Sequence, residues 1–190
     1  MKKTGETIIG EGQWLSLKRS SFVDEQGQEF QWEHLGRKKT GHAVVILATI
    51  EPQNEVLLIR QFRAGANATI LGLPAGMMEP GMGDAGTQAL RELKEETGYT
   101  GTLQEVGPVV YSFPALSDAT MQLVRVRIDG NAPENIQPKQ ELEPGEIIST
   151  LRVPRLQIRA FLEKEIAAGT PVVSGLWYLF ALGDFEAIDK

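Results

Sequence analysis

The chain contains no cysteine and only two histidines, His34 and His42. Disulfides and thiolate metal centres are excluded, and oxygen remains as the main ligand chemistry. Lack of cysteine also fits a reducing compartment. No apolar stretch is long enough to cross a bilayer as a helix, and residues 1–6 lack the apolar run of a secretion signal. A cytoplasmic protein without a membrane partner is expected. Basic charge is not in excess either: 19 Lys and Arg stand against 25 Asp and Glu, a formal net charge of −6. Such a surface does not coat nucleic acid, although a bound divalent cation can invert the field locally and admit a phosphate. Internal repeats and low-complexity segments are missing too. What is present, 190 residues with 42% hydrophobic and 23% charged, suffices for one well-filled core.

Residues 7–37 read as an antiparallel β meander broken at Asp24-Glu25-Gln26-Gly27, with Trp14 and Trp32 along it. Indoles at such positions pack against a core or, as a pair, form a slot in which a base stacks. Residues 42–50 are continuously apolar, as in a strand buried on both faces. A turn at 52–54 leads to a strand over 55–63, which ends in Arg63, and residues 64–68 read as a loop. Strand patterns recur at 103–113, interrupted at Gly107-Pro108, and at 119–129, where Val124, Val126 and Ile128 alternate with Arg125 and Arg127. Residues 130–145 form a long polar segment of the kind that is functional or disordered. A strand over 146–153 comes next, then a helix over 155–168 presenting Leu156, Phe161, Leu162 and Ile166. A last helix over 175–182 buries Leu176, Leu179 and Phe180. This order predicts an α+β protein, an α/β/α sandwich around a mixed sheet.

Between those strands, residues 73–98 form a Gly/Pro-rich loop that feeds a helix. Asp84 is placed to cap its start and Gly98 to end it. Glu92 and Glu96 lie four apart on one face with Glu95 beside them. Like charges at that spacing destabilise a helix by a few tenths of a kcal/mol per pair. Such a face is either solvated or neutralised by a cation, and all-oxygen ligands suit Mg²⁺ or Mn²⁺.

The string Arg91-Glu92-Leu93-Lys94-Glu95-Glu96-Thr97-Gly98-Tyr99 resembles the second half of the Nudix box of Nudix hydrolases at every defined position. The first half departs from it. Arg91 lies one residue further from Gly76 than the pattern requires, and Gly83 stands at the upstream glutamate position, flanked by Met82 and Asp84. Asp84 or Glu79 substitutes for that acid, or the site does without it. The segments Glu11-Gly12-Gln13-Trp14, Gln31-Trp32-Glu33, Gln61-Phe62-Arg63 and Leu73-Pro74-Ala75-Gly76 extend the resemblance over most of the chain, toward the ADP-ribose and ADP-sugar pyrophosphatase branch.

That resemblance implies a Nudix fold over residues 41–190, preceded by a β meander at 1–40 used in dimerisation and base binding. It implies Mg²⁺, with Mn²⁺ as a substitute, on Glu92, Glu95, Glu96 and the Ala75 carbonyl, with Arg91 holding the carboxylates. Glu146 is the best match for the general base, with Glu143 and Glu141 nearby. Arg37 and Arg63 would grip phosphates and Glu33 would accept from an adenine amino group. Trp14 and Trp32 would sandwich the base across a homodimer with exchanged N-terminal strands. The expected reaction cleaves the diphosphate of ADP-ribose and related nucleotide sugars. GDP-mannose or broad nucleotide-sugar hydrolysis is an alternative, and a non-catalytic Nudix-fold sensor a further one.

Overall fold

In the computed structural model, residues 1–38, 41–78, 81 and 83–181 are described. Glu79, Met82 and the expected helix end at Leu182 lie outside that set. Among the described residues, two sheets and four α-helices form. The first sheet is a three-stranded antiparallel meander of β1 (Lys2–Glu11), β2 (Leu15–Val23) and β3 (Glu29–Arg37). It starts five residues earlier than the alternation suggested. Its second turn forms because Asp24 Oδ1 accepts from the backbone N–H groups of Gln26 and Gln28, at 2.9 and 2.8 Å. Gly27 completes it at φ 81°, a left-handed conformation that glycine adopts without strain.

The second sheet is mixed. It contains β4 (Ala43–Glu51), β5 (Glu55–Arg63), β6 (Ala68–Gly72), β7 (Ala75–Met77), β8 (Thr102–Val106), β9 (Val110–Tyr111), β10 (Thr120–Asp129) and β11 (Ile148–Pro154). The main order is β11-β5-β4-β10-β8, with β6 on β5, β7 on β4 and β9 on β10. β4 and β10 run parallel, and the other pairings are antiparallel. Helix α1 (Ala85–Thr97) covers one face, packing Ala85, Ala89 and Leu93 on Val44, Ile46, Ile50 and Val126. Helices α3 (Ile158–Ala167) and α4 (Ser174–Ala181) cover the other, with Leu162, Leu176 and Phe180 against Leu47, Leu58 and Val153. β4 thus buries both faces, which is why its sequence is continuously apolar.

Four expectations shift. Residues 68–72 and 75–77 form strands, because β4 and β5 pair only at Thr49 with Val56 and Ile50 with Glu55 and then part, leaving backbone on each for β7 and β6. The polar segment after Asp129 contains a short helix, α2 (Pro133–Ile136). Asn135 anchors it: its Nδ2 donates to the Thr100 and Asp129 carbonyls at 3.0 and 2.9 Å, and its Oδ1 accepts from the Thr100 N–H at 2.9 Å. Finally, residues 155–157 wind as a 3₁₀ turn before α3. The tighter turn changes the phase, and Leu156, expected on the buried face, is 82% exposed. Among the described residues no helix is long and apolar enough to cross a membrane.

Candidate active site

Helix α1 is delimited as its sequence dictates. Asp84 Oδ1 accepts from the Thr87 N–H at 2.8 Å, which holds the Asp84 carboxyl below its ordinary range. Gly98 closes the other end at φ 77°. The buried stripe of α1 includes Leu93 and Thr97, and it also includes Glu96, only 2% exposed. A buried carboxylate needs partners. Glu96 Oε2 accepts from the Ala75 N–H at 2.9 Å. Burial nevertheless pushes its carboxyl up to about 8; the negative charges of Glu92 and Glu146 add to this, and the Ala75 N–H and Arg63 oppose it.

Glu92 is also raised, first by burial and then by Glu95 and Glu146, against the pull of Arg91 and of the Gln88 amide. Gln88 Nε2 donates to Glu92 Oε1 and to the Met77 carbonyl, both at 2.8 Å. Gly76 lets β7 approach this carboxylate: a Cβ there would lie 1.9 Å from Glu92 Cδ. Arg91 bridges the pair beside it, donating from Nη2 to Glu92 at 2.8 Å and from Nη1 to Glu95 at 2.5 Å.

These groups share one cavity of about 220 Å³, lined by Gln61, Arg63, residues 75–77, Arg91, Glu92, Glu95, Glu96, Glu143 and Glu146. Of the residues expected at the metal and the scissile bond, Ala75, Arg91, Glu92, Glu95, Glu96, Glu146 and Arg63 are therefore together. Arg63 and Gln61 both point to the α1 side because alternate residues of β5 face it, as Leu57 does. Among the described residues no three acidic or histidine side chains converge into a ready-made ion cage; Arg91 stands between Glu92 and Glu95 instead. Glu141 faces away, 3.4 Å from Lys94.

Trp14, Trp32, Glu33 and Arg37 do not line this cavity. They belong to the N-terminal sheet or its turns. Trp14 and Trp32 are 65% and 54% exposed. Trp32 Nε1 donates to the Ala115 carbonyl at 3.1 Å, Glu33 Oε1 takes Arg19 at 2.7 Å, and Arg37 ends β3 opposite Leu15. Sequence reasoning missed Gln61 and Gln88. Both could have been found by phase, since Gln88 is one turn before Glu92 and Gln61 two residues before Arg63.

Known proteins resemble this chain along the same lines. A profile of the NUDIX domain matches residues 39–170. An ADP-sugar pyrophosphatase of Mus musculus is 33% identical over 98% of this chain and 88% of its own length. An ADP-ribose pyrophosphatase of Bacillus subtilis is 32% identical over 80% of each chain. The crystal structure of an ADP compounds hydrolase superposes with a TM-score of 0.68 at 20% identity, covering 85% of this chain and 82% of that one, a likeness of fold. On the profile match, the similarity along nearly the whole chain and the shared fold, this protein belongs to the NUDIX-domain family of hydrolases.

Proposed function

We propose that this chain hydrolyses the diphosphate bond of ADP-ribose and related nucleoside diphosphate sugars, releasing a nucleoside monophosphate and a sugar phosphate. One observation carries the reading: five carboxylates against two guanidinium groups line a single cavity, and the most buried carboxyl is pushed up to about 8. That imbalance suits a divalent cation together with an anionic substrate. The names of the mouse and Bacillus relatives point to the same substrates.

The donor set is compatible with Mg²⁺, or Mn²⁺ in its place, because it consists of oxygen alone. Gln61 and Gln88 each bury an Oε1 without a hydrogen-bond partner among the described residues. Gln61 lines the cavity, so its buried acceptor is left for the water shell of a hydrated cation. Glu92, Glu95, Glu96 and the Ala75 carbonyl would hold the ion. When bound, it supplies charge neutralisation for the diphosphate and Lewis-acid activation. Arg91 orients Glu92 and Glu95. Arg63 binds phosphate oxygens, a role suited to its planar fork. Glu146 takes the proton from the attacking water as the new O–P bond forms; the bridging P–O bond breaks and its electron pair leaves with the departing phosphate.

A 220 Å³ cavity is below the usual range for a whole drug-sized ligand, about 300–1,000 Å³. The base must therefore lie outside it. In this reading residues 1–40 serve dimerisation and base binding, and residues 41–190 the chemistry. Every residue of β1 is exposed, and Ile8, Trp14, Leu15 and Trp32 leave apolar surface uncovered on this sheet. A homodimer with exchanged N-terminal strands would cover that surface and bring one copy's Trp14, Trp32, Glu33 and Arg37 to the other's cavity. Neither nucleic acid nor membrane enters this scheme, and the cytoplasm is the proposed compartment.

The test is a panel of nucleotide sugars, including ADP-ribose and GDP-mannose, incubated with Mg²⁺ and analysed by product mass. AMP and ribose phosphate from ADP-ribose are expected. Absence of any nucleoside monophosphate across the panel would overturn the reading.

A further inference from the structure

Residues 137–147 carry Glu143 and Glu146 from α2 to β11. The segment begins against the end of α1. A Cβ on Gly98 would fall 2.4 Å from the Lys139 nitrogen, so the two backbones touch there. The Glu141 N–H then donates to the Glu95 carbonyl at 2.8 Å. One side chain closes the neck of the loop over 141–147. Gln140 Nε2 donates to the Glu96 carbonyl at 2.5 Å and to the Ile148 carbonyl at 3.3 Å. The first is among the carbonyls that a helix end leaves without an intrahelical partner. The second opens β11, two residues past Glu146.

Within the neck, Pro144-Gly145 turns the chain, with Gly145 at φ 93°. The Glu146 N–H donates to the Glu143 carbonyl at 3.1 Å. In return Glu146 Oε2 accepts from the Glu143 N–H at 3.0 Å. One oxygen of Glu146 is thereby fixed to its own turn. Backbone bonds hold each end separately, the Glu141 N–H on the Glu95 carbonyl and the Phe62 N–H on the Ile147 carbonyl at 3.1 Å, and Gln140 is the side chain that joins the two ends to each other and to the helix carrying Glu92 and Glu96.

We propose that Gln140 is a positioning residue: its amide locks the turn of Glu143 and Glu146 onto the C-terminal end of α1, setting where Glu146 stands relative to the α1 carboxylates. This rests on the reading of Glu146 as the general base. Without that link the two ends of the seven-residue loop are free to shift relative to each other, and a 1 Å misplacement costs about a hundredfold in rate. The amide is a suitable tether because it donates to two carbonyls without adding charge beside the carboxylates.

The experiment uses the full chain. In Gln140→Met, kcat falls by about tenfold or more while KM stays within about twofold. Amide hydrogen exchange at residues 141–147 of the metal-free protein accelerates, and exchange in α1 does not. Gln140→Lys, which restores a donor, recovers part of the lost kcat. In a Glu146→Gln background, Gln140→Met has no further effect, because residues acting as a unit are not additive. Wild-type kcat in Gln140→Met, unchanged exchange at 141–147, or an equal loss in both backgrounds would overturn the positioning role while leaving Glu146 as base. Wild-type turnover in Glu146→Gln would instead remove the base assignment, and this role for Gln140 with it.

Discussion

The backbone N–H of Ala75 donates to Glu96 Oε2 at 2.9 Å and so joins β7 to the last turn of α1. It is the largest influence holding the Glu96 carboxyl down, and it loses to burial, which lifts that carboxyl to about 8. Burial thus favours the protonated form of Glu96 in the metal-free protein, and a bound cation would favour the ionised one.

Metal-free stability should fall as pH rises from about 4.5 to about 8. The folded state keeps the Glu96 proton over that window while the unfolded state has lost it, so stability drops with pH. Its full contribution is present below the unfolded value. The slope is on the order of 1.4 kcal/mol per pH unit for one proton, and Glu92, also raised, adds to it. Asp84 works in the opposite direction at acid pH, since its carboxyl is lowered. Saturating Mg²⁺ should raise Tm more at pH 9 than at pH 6, because at pH 6 binding must first displace a proton. Thermal melts across pH, with and without Mg²⁺, check this. A pH-independent metal-free Tm between 5 and 8 would contradict it.

Glu96→Gln removes the titration and keeps the shape. The metal-free variant should be at least as stable as the parent at pH 8, since the neutral amide resembles the protonated acid. Turnover should drop by about a hundredfold or more, the scale of losing an essential electrostatic group. Near-parental turnover would refute the proposed metal role of Glu96.

Gly76→Ala places a Cβ 1.9 Å from Glu92 Cδ. Glu92 is the far end of a flexible side chain, so it gives way before the backbone does. Stability should fall by no more than about 1–3 kcal/mol, the usual range for overpacking. Mg²⁺ affinity should weaken by about tenfold or more, as when a ligand loses its orientation. Calorimetric titration with Mg²⁺ reads the second effect directly; an unchanged affinity would mean that Glu92 reaches the ion from a displaced position.

Local chemistry explains what could be read beforehand. Helix α1 was legible to within a residue because its cap, period and terminating glycine are all local. The central strands were legible because burial on both faces forces continuous apolar runs. β6 and β7 were not, since Ala68, Gly72 and Gly76 carry no strand preference of their own and the parting of β4 from β5 recruits them. Burial of Glu96 was equally hidden. Its spacing showed a shared face with Glu92, but only the approach of Ala75 reveals that this end of the face is shut off from water. Gln88 stands in helical phase with Glu92, but Gln140 lies in a loop and joins two backbone carbonyls distant in sequence, which no periodicity marks in advance.

Asn135→Ala should be destabilising without being inactivating. It removes donors to the Thr100 and Asp129 carbonyls and an acceptor for the Thr100 N–H, in a side chain only 4% exposed. Leaving buried backbone groups unpaired costs about 1–3 kcal/mol, or roughly 2–12 °C in Tm for a domain of this size. At 20 °C kcat should stay within a few-fold of the parent. A parental Tm would mean that water replaces the amide completely.

Trp32 separates two uses of one indole. Its Nε1 holds the Ala115 carbonyl at 3.1 Å, while 54% of the residue remains exposed and open for stacking. Stacking of a base on an aromatic contributes about 1–3 kcal/mol, so Trp32→Ala should raise KM for ADP-ribose by about 5- to 100-fold with little change in kcat. Trp32→Phe keeps an aromatic face and loses the N–H, and should raise KM less. If both variants raise KM equally, the bond to Ala115 is what matters, through the loop it holds. If neither does, Trp32 is not in the base site. Light scattering on the same samples reports whether either change alters the oligomeric state, which distinguishes a lost stacking partner from a lost dimer.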